Sequence, residues 1–195
     1  MTDKANRAKK GGGAGAAAIA MAAAGVGLLT GLAARAGARG VMVAAEPLSG
    51  HWLDIVKADH LIIMELVDKA MATRATAKAR RAMLLNRIKE ALVRQTVEKE
   101  WVLYPALRLS GEAGVAAADR LATDYAEVKA ALYELEQTPS TDPLWRSRMG
   151  ALRDRLNAHT QDEEDNVFPA LRKTLSAEED ARLTQLVNVE GRRFA

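Results

Sequence analysis

Four stretches of the chain carry apolar residues at intervals of three and four, the period that lines side chains along one face of an α-helix. The first stripe reads Trp52, Val56, His60, Ile63 and Val67, and the second Leu85, Ile88, Leu92, Gln95, Lys99 and Leu103. The third is Ala118, Leu121, Tyr125, Val128 and Leu132, and the fourth Met149, Leu152, Leu156, His159, Glu163 and Val167. Each stripe is interrupted by polar groups: His60 in the first, Gln95 and Lys99 in the second, Tyr125 in the third, His159 and Glu163 in the fourth. Those positions predict a polar layer within an aliphatic bundle, because buried polar groups must find partners in one another rather than in water.

Helix breakers divide the stripes. Pro47-Leu-Ser-Gly50 halts the preceding chain and offers Ser49 as an N-cap for a first helix running to about Ala72. A second helix follows from about Ala77 and is kinked or ended by Pro105; Ser110-Gly111 and Gly114 then mark the connection to the third. The third should fade near Gln137. Thr138-Pro-Ser-Thr-Asp-Pro143 is a turn cluster, from which a fourth helix starts near Asp142 and extends to Pro169. Ser176-Ala-Glu-Glu179 has the form of a capping box, Ser and Glu three apart, opening a short last helix. The expected organisation is a leader over 1–48, an up-and-down four-helix bundle over 49–176, and a short C-terminal helix and tail over 177–195. No strand-like run competes, and the fold class is all-α.

The second and fourth helices are also related to each other. Arg94-Gln-Thr-Val-Glu-Lys-Glu-Trp-Val-Leu-Tyr-Pro-Ala-Leu-Arg108 recurs in degraded form as Asn157-Ala-His-Thr-Gln-Asp-Glu-Glu-Asp-Asn-Val-Phe-Pro-Ala-Leu-Arg172. Superposing Tyr104-Pro105 on Phe168-Pro169 sets Gln95 against His159 and Lys99 against Glu163. A histidine and a glutamate one turn apart project from one helix face and suit a shared metal. That pair stands in one copy only.

Four landmarks resemble the bacterial hemerythrin-like, or HHE cation-binding, family over roughly Ser49 to Leu175. Lys57-Ala-Asp-His60 is similar to the family's first histidine, and Glu98-Lys-Glu-Trp-Val-Leu-Tyr-Pro105 to the acidic stretch and proline that end its second helix. Asp124-Tyr-Ala-Glu-Val-Lys129 resembles the start of its third helix, and His159-Thr-Gln-Asp-Glu163 with Val167-Phe-Pro169 its last histidine-xxx-glutamate. The resemblance implies a four-helix bundle whose members typically hold two irons with five histidines and two bridging carboxylates, many of them binding or sensing oxygen. It also implies that His60, His159 and Glu163 are retained ligand positions and that Gln95, Lys99 and Tyr125 are substituted ones. This chain has 3 histidines in all. A lysine where the family has a bridging carboxylate repels a di-metal centre and can itself neutralise Glu163.

The resulting expectation is a hemerythrin-like protein with a degenerate metal site, acting as a non-enzymatic structural, sensory or partner-binding module without an oxygen-binding di-iron centre. The alternative is a mononuclear protein holding one iron or zinc ion on His60, His159 and Glu163, two imidazoles and one carboxylate with open positions. An enzyme using His159 and Glu163 lacks a nucleophile with a base and an orienting group. In the interior layer Lys99 should lie within salt-bridge reach of Glu163, bonded through Gln95, while Tyr125 packs with its hydroxyl on His159 or Glu163. His51, at a helix start, is expected to have a surface role. Glu98, Glu100, Asp162, Glu164 and Asp165 are expected to be solvated, as neighbours of inward positions.

Charge changes the picture only at the N-terminus. The net charge is +3, yet Lys4, Arg7, Lys9, Lys10, Arg35 and Arg39 face only Asp3 and Glu46 before His51, so the surplus resides in the leader and the bundle is close to neutral. No aromatic residue accompanies those cations, which argues against nucleic-acid binding. From Gly11 to Ala34 no charged residue occurs. That length could span a bilayer, but Gly and Ala dominate it, and Gly27-Leu-Leu-Thr-Gly31 matches a small-xxx-small packing motif instead. The favoured expectation is a cytoplasmic protein with a partner or self-association through the leader, in place of membrane association through residues 11–34. The absence of cysteine suits a reducing compartment.

Overall fold

The computed structural model describes residues 50–193, so the expectations for the leader over 1–48 lie outside the described residues. Helix α1 spans Trp52–Met71, α2 Lys78–Glu98 and α3 Tyr104–Leu109; α4 spans Glu112–Glu136, α5 Trp145–Asp162, α6 Phe168–Thr174 and α7 Ala177–Arg193. Between α2 and α3 the chain stays helical through a π-turn, Lys99–Leu103, and between α5 and α6 through a second, Glu163–Val167. The second and fourth rods of the bundle are therefore α–π–α composites. Packing of α1 on α2 and α5, of α4 on α5 and of α3 on α4 gives the expected up-and-down arrangement. Among the described residues there is no strand, and no helix is long and apolar enough to cross a membrane.

Local chemistry accounts for most of the boundaries. The N-cap of α1 is His51, not Ser49: its Nδ1 accepts from the Leu53 N–H at 3.3 Å while Nε2 lies 2.7 Å from Asp180 Oδ2 on α7. Gly111, at φ +110°, makes the turn between α3 and α4 in backbone space that favours glycine. Gly114 is required by close packing, since a Cβ there would sit 2.1 Å from the Leu107 carbonyl oxygen. Helix α5 begins three residues later than expected, because Asp142 Oδ1 accepts the Leu144 N–H at 2.7 Å and holds the segment in a turn before Trp145. The capping box before α7 forms as read, with Ser176 Oγ accepting from Glu179 N at 3.3 Å and Glu179 Oε2 from Ser176 N at 2.8 Å.

The π-turns sit at aligned positions of the two repeats. Tyr104 N–H bonds to Lys99 O and Phe168 N–H to Glu163 O, each five residues back, and each is followed by proline. Proline has no N–H and its ring clashes with the carbonyl four residues earlier. Slipping the hydrogen-bond ladder by one residue ahead of the proline carries the helix past this break. The regular part of α2 thus ends at Glu98, ahead of Pro105, while the chain stays helical through the π-turn into α3.

Two apolar clusters form the core. One contains Ile63, Val67, Leu84, Ile88, Leu92, Val128, Leu135, Trp145, Met149, Leu152 and Leu156. The other contains Trp52, Val56, Leu103, Leu107, Ala118, Leu121, Phe168 and Leu171, and it is completed by Leu183 and Val187 of α7. Trp52 Nε1 donates to Asp180 Oδ1 at 2.8 Å, tying α7 to the start of α1. Leu85 and Leu132, read as stripe residues, are only partly buried and pack against the first cluster. In sequence, the polar interruptions of all four stripes fall where one cluster gives way to the other.

Candidate functional site

Every polar interruption of the stripes is buried. His60 on α1, Gln95 on α2, Tyr125 on α4 and His159 on α5, with Lys99 and Glu163 at the heads of the two π-turns, are each at most 3% exposed. All six carry ionisable or strongly polar side chains, and such burial is tolerated only where partners compensate for lost water.

Glu163 is the hub. Its Oε2 accepts from Lys99 Nζ at 2.6 Å and lies 3.2 Å from His60 Nε2; its Oε1 lies 3.2 Å from His159 Nε2 and 3.4 Å from Tyr104 OH. The two Nε2 atoms are within ion-pair distance of the carboxylate but outside hydrogen-bond geometry, and His159 Nδ1 also has no hydrogen-bond partner. On its far side His60 donates through Nδ1 to Glu164 Oε1 at 2.6 Å, so one imidazole links the buried carboxylate to a partly exposed one. Burial alone would raise the Glu163 carboxyl, but Lys99, followed by the His159 and His60 imidazoles, outweighs it and holds the group well below the usual carboxylate range. Burial pushes the Lys99 ammonium down, and Glu163 opposes that shift.

Two expected contacts take another form. The Tyr125 hydroxyl bonds neither His159 nor Glu163; it lies 2.7 Å from Thr96 Oγ1 and donates to Leu92 O at 3.1 Å. Its ring stacks obliquely on His159, with centroids 5.3 Å apart, and lies 5.6 Å from Lys99 Nζ. The position is thus occupied by an aromatic wall against the histidine and the ammonium. Burial pushes the phenol up and out of the range where it ionises. Gln95 does not relay to Lys99, since neither its amide nitrogen nor its carbonyl oxygen has a hydrogen-bond partner among the described residues.

Some functional-looking residues were not anticipated. Glu98 and Asp59, 1% and 2% exposed, form a second buried acidic pair beside the hub. Asp59 Oδ1 accepts from Arg94 at 2.6 Å. Burial and the adjacent Asp59 push the Glu98 carboxyl up to about 8, and burial also raises Asp59 against the pull of Arg94. Glu98 was expected in solvent, as was Glu164, which instead bonds His60. A signal existed for Asp59, which stands four residues from both Ile55 and Ile63 on the buried face of α1. For Glu98 the signal was weaker, because α7 contributes to its burial: a Cβ on Gly191 would lie 2.7 Å from Glu98 Oε1. His51, capping α1 on Asp180, is not part of the polar layer. Among the described residues, no group of three or more His, Cys, Asp or Glu side chains is arranged to hold a metal ion.

An all-α up-and-down bundle with a buried histidine–carboxylate layer defines the class. The Hemerythrin HHE cation binding domain matches residues 51–171, more than half of the chain, and the protein belongs to that family. Its structure is similar to that of a hemerythrin HHE cation binding domain-containing protein from Mycobacterium kansasii, with 19% sequence identity and a TM-score of 0.66 over 74% of this chain and 87% of the other. At that identity the likeness concerns the fold alone. No curated protein matches the chain.

Proposed function

We propose that this protein is a hemerythrin-like bundle in which an internal ammonium has replaced the metal, and that it works as a non-enzymatic structural, sensory or partner-binding module. The observation that carries the reading is Lys99 Nζ at 2.6 Å from Glu163 Oε2, both side chains at most 1% exposed, in the centre of the polar layer. A di-iron centre of the family's usual kind needs about seven protein ligands, carboxylate bridges among them. Here one candidate bridge is a cation, a second position is a phenol bonded elsewhere, a third is an amide, and one of the chain's histidines caps a helix instead. A fixed ammonium against those carboxylates would add its repulsion to that between the irons. As Glu163's partner it does the opposite, compensating a buried carboxylate whose histidine neighbours lie 3.2 Å away without hydrogen-bonding to it.

A second reading rests on a different observation. His60 Nε2 and His159 Nε2 flank opposite oxygens of Glu163 and hydrogen-bond to nothing, so a single iron or zinc ion on these three residues would satisfy both imidazoles. It requires Lys99 to leave Glu163. Elemental analysis with absorption spectroscopy of protein purified from cells supplied with iron and zinc separates the readings. The expected result is a colourless protein with well under one metal per chain and no oxo-bridged di-iron absorption. One tightly held iron or zinc would establish the second reading, and two irons per chain would defeat both.

A further inference from the structure

At the end of the bundle where α1 passes to α2 and α4 to α5, a cleft of about 440 Å³ opens between the two connections. Its walls include Met71, Thr73, Arg74, Arg81, Asp142 and Arg146. Arg81 is the unusual member, a cation only 5% exposed that forms no ion pair with any carboxylate among the described residues. Backbone carbonyls hold it instead: Nε donates to Thr73 O at 3.1 Å and Nη1 to Ser140 O at 2.6 Å, and the guanidinium lies 4.3 Å from the centroid of the Trp145 ring. One wall of the cleft thus fixes the plane of the guanidinium while its Nη2 remains uncommitted. Arg74, exposed on the connection between α1 and α2, and Arg146, exposed at the start of α5, likewise have no carboxylate partner among the described residues. The sole acid of the lining, Asp142, already accepts the Leu144 N–H.

We propose that this cleft binds a small phosphoryl-bearing anion, such as a phosphate monoester. Three guanidiniums against one carboxylate leave a surplus of two positive charges, which matches a phosphate dianion. The planar forks supply hydrogen bonds from several directions, as a tetrahedral oxyanion accepts them, whereas a carboxylate is saturated by one fork. Arg146 stands in the first turn of α5, so the positive end of that helix adds to the field at the same rim. Met71, Ala72, Ala75 and Pro143 offer apolar surface for the organic remainder, and the volume falls within the usual range for small-molecule sites, about 300–1,000 Å³. A buried, pre-oriented arginine without a counter-ion is costly to the free protein, and an incoming dianion relieves that cost.

Isothermal titration calorimetry of the full chain with phenyl phosphate, inorganic phosphate and benzoate at matched, low ionic strength tests the proposal. Phenyl phosphate should bind saturably with one site per chain, inorganic phosphate more weakly, and benzoate at least about tenfold more weakly. Arg74→Gln combined with Arg146→Gln alters only exposed side chains and should weaken phenyl phosphate binding about tenfold or more. The control Lys57→Gln with Lys173→Gln removes the same charge from α1 and α6 and should change it less than about twofold. No saturable binding of phenyl phosphate by the folded protein overturns the proposal, as does equal binding of benzoate or equal weakening by the control pair. Metal content bears on none of these outcomes.

Discussion

At the scale of single residues, Lys99 and Glu163 depend on each other. A buried carboxylate stripped of its counter-ion costs several kcal/mol, far more than an exposed ion pair contributes. Lys99→Ala is therefore expected to lose about 3–5 kcal/mol of unfolding free energy in urea denaturation at neutral pH. A loss below about 1 kcal/mol would mean that the histidines alone support Glu163. Glu98 obeys the opposite rule, because its burial favours the protonated acid. In the unfolded chain it ionises near 4.5, and in the folded protein near 8. Between those values the folded state holds a proton that the unfolded state has released, so stability falls as pH rises through that window and is lowest above it. Glu98→Gln keeps a neutral, hydrogen-bonding side chain and should abolish this contribution. Stability curves of the two proteins should diverge from about pH 4.5 to 8, the variant ending roughly 1–3 kcal/mol the more stable. Parallel curves would show that Glu98 ionises normally in the fold.

At the scale of elements, the apolar stripes made the helices legible, since a 3.6-residue period sustained over about four or five turns has few alternative explanations. Capping chemistry placed the start of α7 for the same reason: Ser176 and Glu179 satisfy each other's N–H groups locally, without help from the rest of the fold. The misread features depend on distant partners or on ladder geometry. His51 became the α1 cap because Asp180, 129 residues away, holds its ring. The π-turns were not read from the sequence, although each leaves a trace: Gln95, Lys99, Leu103 and Leu107, and likewise His159, Glu163, Val167 and Leu171, recur every four residues, where an unbroken α-helix would mix intervals of three and four. Those turns matter to the site, since Lys99 and Glu163 both stand at their first residue. The polar layer was legible as six inward positions and as the Lys99–Glu163 pair. Its finer bonds were not. Leu92 O, already accepting from Thr96 at 2.7 Å, is also within reach of the Tyr125 hydroxyl and takes it from the histidine. The burial of Glu98 depends on α7 lying over a helix face that periodicity alone leaves in solvent.

At the scale of the whole molecule, two apolar clusters meet at a charged layer that holds the Lys99–Glu163 pair, and on the proposed reading the Lys99 ammonium stands there in place of a metal ion. If Gln95, Lys99 and Tyr125 occupy vacated ligand positions, returning ligands to them should return the metal. Gln95→His, Lys99→Glu and Tyr125→His together remove the cation and add two imidazoles and one carboxylate to the layer around Glu163: the first two changes reproduce in the first repeat the His159 and Glu163 of the second, and the third lies on α4, outside both repeats. The triple variant should take up iron, up to two ions per chain, with charge-transfer absorption that the parent lacks. Lys99→Glu alone sets a second carboxylate against Glu163 without a metal to share, so it should fold less stably than the parent, raise at least one carboxyl pKa, and recover stability as pH falls through that raised value. Iron added to the triple variant should raise its melting temperature in proportion to occupancy, because the metal binds the folded state alone. A triple variant that folds with native helix content yet takes up no more iron than the parent would show either that these helices do not present the three positions to a common point or that the core has closed over it. In that event the Lys99–Glu163 pair would be an ordinary buried salt bridge rather than the successor of a metal site.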